Sequence, residues 1–442
     1  MTAIISSAMK AYRASILHFT GDPTLHGESA ATYLEDGLLV IDSGKVFQCG
    51  EASALMSQLA PGTEINDYRG KLIVPGFVDT HIHFAQTDII ASNGAQVLEW
   101  LEKYAFPAER RFADPAHADE VAAFSLDEML RNGTTTSMVF STVHKSATEA
   151  LFRAAEARGV CMIAGKVMMD RNCPAYLQDT AESSYQECHE LIERWHRKAG
   201  TRLHYAVTPR FAPTSSEAQL AAAGKLLDEF PGVYLQSHLA ENRHECAWVQ
   251  ELFPWSKNYL DVYEHFGLMR SKSVFAHCIY LNDNDRKRLA GAGTAMSFCP
   301  TSNLFLGSGL FDADAARKND VKVGLGTDVG GGTSFSILRT LHEAYKVLQL
   351  NGQATNALQG FYDATLGGAT ALSLEHEIGN FVRGKCADFV VLNPHATPLI
   401  ERRIANAASL ADRLFAMMML GDEHMVDATY VQGNPLFSRA AG

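Results

Sequence analysis

The feature that most constrains the fold is a series of eight short, β-rich apolar runs separated by longer stretches of helical composition. In chain order the runs are KLIVPGFVDTHIHF, TTTSMVF, VCMIAGKVMMD, LHYAVTPRF, VYLQSHLAE, SVFAHC, TAMSFCPTSN and VKVGLGTD. Strands buried on both faces of a parallel sheet have continuous apolar sequences, and eight of them alternating with helices are typical of a closed barrel. We therefore predict an α/β fold with a TIM-type (β/α)8 barrel over residues 73–375.

The two ends of the chain have a different character, with short strands and glycine turns. TYLEDGLLVIDSGKVFQCG carries turn signals at Asp36-Gly37 and Ser43-Gly44, and GNFVRGKCADFVVLNP and ATYVQGNPLF have similar Gly-Lys and Gly-Asn turns. These segments predict a small, discontinuous β-sandwich domain built from residues 1–72 and 376–442.

Charge and composition narrow the classes of partner. The formal net charge of -12 argues against nucleic acid or an anionic membrane as the main partner, and leaves a small-molecule substrate open. The sequence shows no signal-peptide pattern, and no apolar run approaches the ~20 residues needed to cross a bilayer. The 8 cysteines are scattered singly, as reduced thiols are, rather than arranged as a disulfide framework. We therefore expect a cytoplasmic protein.

The first barrel run ends in two histidines, His81 and His83. Side chains alternate along a strand, so these two point to the same side, which is the barrel interior at its carboxyl end. Two neutral imidazoles that converge there are suited to a divalent metal ion. A chance pair or a hydrogen-bonded polar cluster would give the same pattern, so the pair alone does not establish a metal site.

Other runs deliver matching side chains at the same end of the barrel. His238 ends the fifth run, with Glu241 three residues later; His277 ends the sixth run, and Asp328 ends the eighth. Each one singly could be structural, because aspartates cap helices and buried histidines satisfy backbone groups. Their convergence on one barrel mouth is better explained by a metal site, with the two first-run histidines, His238 and Asp328 as ligands.

Histidine and carboxylate ligands without a thiolate suit zinc or iron(II) in an open catalytic site. Such an ion lowers the pKa of a water from ~16 to near 7. Glu241 is close enough to a ligand to protonate a substrate atom, so we predict it to be the general acid. Asp328 is placed to accept the water's proton, and His277 to hold the same water. An alternative remains open for Lys166, on the third run: its side chain could carry a carbamate that bridges two metal ions.

The segments PGFVDTHIH, SHLAEN, FAHC and GTD, in this order, resemble the amidohydrolase superfamily and in particular its metal-dependent aminohydrolases. The likeness covers nearly the whole chain. DTHIHFAQ, VLEWLEKYAFPAER, TPRFAPTSS, FCPTSNLFLGSGLF and GTDVGGGTSF resemble, more narrowly, the members that deaminate guanine. The resemblance implies hydrolytic deamination of guanine to xanthine and ammonia in purine catabolism or salvage. It also implies one zinc ion per chain, with iron as the alternative, and a homodimer.

The resemblance assigns roles to individual residues. The implied zinc ligands are His81, His83, His238 and Asp328. The implied substrate contacts are His83, Gln86, Arg210, Phe211, His238, Glu241 and Asp328. In the implied reaction a zinc-activated water attacks C2, Glu241 protonates N3, Asp328 receives and returns the water's proton, and His277 orients the nucleophile. The chemistry of these side chains agrees with the implied contacts. An arginine offers fixed donors to the O6 carbonyl of guanine, and a glutamine offers both a donor and an acceptor to an edge of the base. A phenylalanine offers an apolar face to the flat ring.

Several alternatives remain open at this point. Arg210 could form a structural ion pair, Phe211 could belong to the core, and Trp100 could either wall the pocket or pack as part of a helix stripe. A sister aminohydrolase that acts on another purine, a pterin or a triazine would carry the same superfamily motifs. A non-enzymatic barrel scaffold would be expected to lose metal ligands, whereas this chain keeps all of them.

Overall fold

The computed structural model of the chain describes residues 9–94 and 96–439 and divides its strands between a parallel barrel and a mixed sheet. The strands are β1 Lys10–Phe19, β2 Ala31–Asp42, β3 Lys45–Glu51, β4 Glu64–Pro75, β5 Phe77–His83, β6 Thr134–Phe140, β7 Cys161–Gly165, β8 Val167–Met168, β9 Leu203–Pro209, β10 Tyr234–Leu239, β11 Ser273–His277, β12 Ala295–Phe298, β13 Lys322–Leu325, β14 Phe389–Leu392, β15 Val426–Val431 and β16 Asn434–Ser438.

Most of the helices connect the barrel strands. The α-helices are α1 Pro23–His26, α2 Ala52–Leu55, α3 Val97–Trp100, α4 Phe106–Arg110, α5 Pro115–Arg131, α6 Lys145–Arg158, α7 Ala181–Trp195, α8 Glu217–Glu229, α9 Arg243–Leu252, α10 Tyr259–His265, α11 Asp283–Ala292, α12 Pro300–Phe305, α13 Ala313–Lys318, α14 Ile337–Leu350, α15 Ala357–Tyr362, α16 Gly368–Ala371, α17 Pro398–Ala405 and α18 Leu410–Leu420. A π-helical segment, Leu101–Ala105, joins α3 to α4. No helix within residues 9–94 and 96–439 is both long and apolar enough to span a bilayer.

The barrel consists of parallel strands that pair in the order β5, β6, β7, β9, β10, β11, β12 and β13, with β8 adding to β9. Each strand falls within one of the eight predicted runs, so the predicted parallel barrel is confirmed. The first and last strands meet through side chains and loop backbone: the Thr80 hydroxyl donates to the Leu325 carbonyl oxygen over 2.9 Å, and the Asp328 N–H donates to the His81 carbonyl oxygen over 2.9 Å. These contacts nearly close the barrel around the residues of the candidate site.

The first predicted run is divided between the two sheets. β4 ends at Pro75 in the mixed sheet, and β5 begins at Phe77 in the barrel. Gly76 lies at the crossing, where a Cβ atom would lie 2.1 Å from the Thr135 hydroxyl oxygen. The interpretation of this run as one barrel strand is therefore wrong for its amino-terminal part, which pairs with β1 and β14 instead.

Strands from both ends of the chain form the mixed sheet, in the order β16-β15-β14-β4-β1-β2-β3. The sheet encloses an apolar core in which the rings of Phe389 and Tyr430 stack with their centroids 4.3 Å apart and Tyr12 meets Phe389 edge-on. The β3 edge of the sheet also contacts the carboxyl-terminal segment of the chain, since the Val46 N–H donates to the Lys385 carbonyl oxygen. The prediction that strands from both ends of the chain assemble together is confirmed, and they form one mixed sheet.

Candidate active site

A buried cluster of three imidazoles and one carboxylate lies at the carboxyl end of the barrel. The Nε2 atom of His83 is 3.2 Å from the Nε2 atoms of both His81 and His238. Oδ1 of Asp328 is 3.2 Å from Nε2 of His81 and 3.4 Å from Nε2 of His83. Tetrahedral ligands with bonds of about 2.0–2.1 Å keep their donor atoms about 3.3 Å apart, and these four distances match that spacing.

Two hydrogen-bonding partners orient the ligands of this cluster. Nδ1 of His238 donates to the Arg210 carbonyl oxygen over 2.6 Å, which leaves the lone pair of Nε2 facing the cluster. Asp79 is 1% exposed, and its Oδ1 accepts from the N–H groups of His81 and Thr327, each over 3.1 Å. The Thr327 hydroxyl donates to the other oxygen of Asp79. Asp79 therefore joins β5 to the loop that follows β13.

The backbone of this loop explains the sequence GTD. At Gly326 a Cβ atom would lie 2.8 Å from Cβ of His81 and 2.9 Å from Sγ of Cys299, so only glycine fits. Asp328 has a φ of 52° and His277 a φ of 70°, in the left-handed region that non-glycine residues adopt at a cost. Both functional side chains are therefore held by a backbone that the surrounding contacts must stabilise.

The protonation states of the cluster suit a metal. Burial lowers the pKa of His81, and lowers the pKa of His83 and His238 well below the ordinary range. Burial opposes ionisation of Asp328, but the neighbouring histidines, His81 first, hold the pKa of its carboxyl well below its usual value. The site thus offers three neutral imidazoles and one carboxylate, which are the forms that bind a metal ion.

Glu241 and His277 face each other beside the cluster. Glu241 follows β10, and burial raises the pKa of its carboxyl. Its Oε1 accepts from the Ser308 hydroxyl over 2.7 Å, and its Oε2 is 3.5 Å from Nε2 of His277. Nδ1 of His277 donates to Oδ1 of Asn303 over 2.9 Å. Burial alone would lower the pKa of His277, but the charges of Glu241 and Asp328 raise it. The pair suits acid–base chemistry.

The predicted substrate contacts meet in one cavity. Its lining includes His83, Gln86, Arg210, Phe211, His238, Glu241, His277 and Asp328. Arg210 also forms a buried bidentate ion pair with Glu109, over 2.7 and 2.9 Å, so the cavity contact and the structural ion pair occur together. Phe211 is buried and still lines the cavity. Trp100 walls the cavity and also packs with Leu306 in an apolar cluster, so both alternatives for Trp100 hold.

Lys166 has a different environment. Its Nζ atom lies 2.6 Å from Oδ2 of Asp179 and 3.3 Å from Oε2 of Glu187. Burial opposes its charge, but Asp179 and the other neighbouring groups raise the pKa of Lys166 overall. A carbamate forms on a neutral amine, and Lys166 is not among the described residues that line the cavity. The structure therefore gives the carbamate alternative no support.

Four polar residues of the site were not singled out from the sequence: Asp79, Glu109, Asn303 and Ser308. Each of them orients a predicted site residue through the hydrogen bonds described above. All four lie inside the motif segments DTHIH, VLEWLEKYAFPAER and FCPTSNLFLGSGLF. A polar residue within such a motif is the signal that could have found them.

A parallel barrel with a buried cluster of histidines and an aspartate beside a buried acid at its carboxyl mouth is the arrangement expected of a metal-dependent hydrolase. Residues 72–436 match the model of the amidohydrolase family. The chain is 52% identical to the guanine deaminase of Escherichia coli (strain K12) over 433 residues, which cover 98% of each chain. These matches place the chain in the amidohydrolase family, in the group of its guanine deaminases.

Two solved structures are similar over nearly the full length. The E. coli guanine deaminase structure has a TM-score of 0.95 and 52% identity, covering 97% of this chain and 100% of the other. The guanine deaminase of C. acetobutylicum, with guanine bound in its active site, has a TM-score of 0.86 and 28% identity, again covering 97% and 100%.

Proposed function

We propose that this chain catalyses the hydrolytic deamination of guanine to xanthine and ammonia, a reaction of purine catabolism and salvage. The observation that carries the proposal is the 52% identity to a guanine deaminase over 98% of both chains. The superfamily motifs alone do not set the substrate, because aminohydrolases of other cyclic amidines share them. The likeness extends through the segments that contribute Gln86, Arg210 and Phe211 to the cavity.

The proposed cofactor is one zinc ion, with iron(II) as the alternative. The residues that would hold it are His81, His83, His238 and Asp328. Their donor atoms are imidazole nitrogens and a carboxylate oxygen, a set that suits either ion. When bound, such an ion lowers the pKa of a water from ~16 to near 7 and so supplies a nucleophile at neutral pH.

Three residues are proposed to carry the proton transfers. Glu241, whose pKa is raised by burial, donates a proton to N3 as water attacks C2. Asp328, whose pKa lies well below its usual value, accepts a proton from the attacking water and passes it to the 2-amino group, which departs as ammonia. The remaining hydroxyl proton returns to Glu241 as C2 becomes a carbonyl. Nε2 of His277 lies 3.5 Å from Oε2 of Glu241 and 3.8 Å from Oδ2 of Asp328, where it can orient the water and stabilise developing charge.

Three further residues are proposed to recognise the purine ring. Arg210 donates to the O6 carbonyl oxygen, and Gln86 reads an edge of the base with its donor and its acceptor. Phe211 offers an apolar face to the flat ring. All three lie on the wall of the same cavity as Glu241, which supports a single binding site.

The experiment is a guanine-to-xanthine absorbance assay on the purified protein, before and after a chelator and after return of zinc or iron. We expect turnover that the chelator abolishes and the metal restores. Ammonia release from adenine, cytosine and pterins, measured in parallel, checks the substrate. Faster release from any of these than from guanine would overturn the assignment.

We also propose a homodimer and a cytoplasmic location. The family resemblance supports the homodimer, and light scattering of the purified protein tests it. The eight cysteines are all free thiols, which supports a reducing compartment. Fractionation of cells that express the protein tests the location.

A further inference from the structure

Glu109 is a buried carboxylate that contacts both polar side chains proposed to read the substrate. It lies in α4 and is 0% exposed. Its Oε2 accepts from Nη1 of Arg210 over 2.7 Å, and its Oε1 accepts from Nη2 of Arg210 over 2.9 Å and from Nε2 of Gln86 over 3.1 Å. Glu109 is not among the described residues that line the cavity, so any effect on the substrate passes through Arg210 and Gln86.

The contact with Glu109 fixes the orientation of the Gln86 amide. While Nε2 donates to Glu109, Oε1 of Gln86 accepts from the Gly330 N–H over 3.2 Å. A reversed amide would set its oxygen against the carboxylate and its NH₂ group against the Gly330 N–H. Gln86 therefore keeps one orientation, with one N–H and one lone pair left for a ligand.

The same carboxylate fixes the plane of the Arg210 guanidinium. Two of the five N–H donors of an arginine are used by the bidentate contact, which leaves three in a fixed plane and no acceptor. The ring of Phe106 lies against this group, with Cζ of Arg210 5.3 Å from the ring centroid. Glu109 also neutralises the guanidinium, so the pair is suited to a neutral base rather than to an anion.

We propose that Glu109 is a positioning residue that sets the preference for a purine with a carbonyl group at C6 over one with an amino group there. The inference rests on the proposed function. Arg210 has only N–H donors, and Glu109 holds them in one direction, so the guanidinium binds a carbonyl oxygen at C6 and meets an amino group there with like donors. Without the carboxylate, the guanidinium and the Gln86 amide are free to turn, and the discrimination weakens.

The test compares guanine with 2,6-diaminopurine, which carries the same 2-amino group but has an amino group at C6 and no proton on N1. In Glu109→Gln we expect the KM for guanine to rise about tenfold or more, since a charge-assisted contact is lost, while kcat changes less. The ratio of kcat/KM for guanine to that for 2,6-diaminopurine should fall about tenfold or more, because discrimination depends on a fixed hydrogen-bonding pattern. Glu120→Gln, an exposed change of the same kind on α5, should leave both quantities unchanged.

Glu109→Asp gives a second variant, because it keeps the charge while its shorter side chain cannot reach both partners. It should show the same shift to a smaller extent, and it replaces Glu109→Gln if circular dichroism shows that the latter does not fold. An unchanged ratio in a folded variant, or a fall in kcat with KM and the ratio unchanged, overturns the inference. A wild-type protein without guanine turnover would instead overturn the proposed function.

Discussion

Asp328 and His81 contact each other twice. The Asp328 N–H donates to the His81 carbonyl oxygen over 2.9 Å, and Oδ1 of Asp328 lies 3.2 Å from Nε2 of His81. His81 belongs to the first barrel strand, and Asp328 follows the last one. The contacts that close the barrel therefore also build the candidate metal cluster, and the geometry of the cluster depends on that closure.

Asp79 stabilises this closure, because it accepts hydrogen bonds from both His81 and Thr327. In Asp79→Asn, an NH₂ group would replace one of the oxygens that face the Thr327 and His81 donors. We expect the affinity for zinc to fall about 10–100-fold, as for other residues that support metal ligands. Competition with a chromophoric chelator measures it. The exposed Asp88→Asn serves as the control, and equal affinities in the two variants would show that Asp79 does not support the site.

Glu241→Gln removes the proposed acid and leaves the four metal ligands in place. We expect the metal content to stay at the wild-type level and guanine turnover to fall about 10²–10⁴-fold, the usual contribution of general acid–base catalysis. Metal analysis and the absorbance assay on the same sample measure both. Near-normal turnover would show that the assignment of Glu241 as the acid is wrong.

Ser308→Ala changes the environment of the same acid. The Ser308 hydroxyl donates to Glu241 and thereby stabilises the ionised carboxylate, which lowers a pKa that burial raises. Without this hydrogen bond the pKa of Glu241 rises further, so the protonated form persists to higher pH. We expect the alkaline limb of the kcat/KM profile for guanine to move to higher pH. A limb that stays in place or moves to lower pH would contradict the role of the Ser308 contact.

Arg202 and Asp388 form a buried ion pair between the barrel and the mixed sheet. Their side chains are 9% and 3% exposed, and Nη2 of Arg202 is 3.2 Å from Oδ1 of Asp388, which also accepts from the Gln432 N–H. Asp388→Asn leaves the guanidinium without its charge partner, so the free energy of unfolding should fall by about 3–5 kcal/mol. Urea denaturation measures it. Asp119→Asn, which breaks the exposed pair with Arg153, should cost less than about 1 kcal/mol. Similar losses would refute this account of the interface.

The sequence predicted the barrel because the composition of each run records its environment. A strand buried on both faces is apolar throughout, so polar residues at its end, such as His238 and His277, mark the carboxyl mouth. The alternation that pairs His81 with His83 extends back to Asp79, so this support residue was within reach of the same reasoning. The first run is apolar throughout, because it is buried in the mixed sheet before Gly76 and in the barrel after it. Its composition therefore carries no sign of the crossing at Gly76.

The partners of charged side chains could not be predicted from the sequence. Glu109 and Arg210 are 101 positions apart, and their pairing depends on how α4 packs over the barrel mouth. The sequence could show that Arg210 suits either an ion pair or a substrate contact. It could not show that the arginine paired with Glu109 also lines the cavity, where the remaining N–H groups of its guanidinium are left for a ligand.

The most direct test follows metal content and guanine turnover together while the metal is removed and returned. If His81, His83, His238 and Asp328 hold one catalytic ion, the protein contains one ion per chain. Turnover then falls in proportion to the metal removed and recovers when zinc is returned. Full turnover from protein that holds far less than one ion per chain would contradict the metal site.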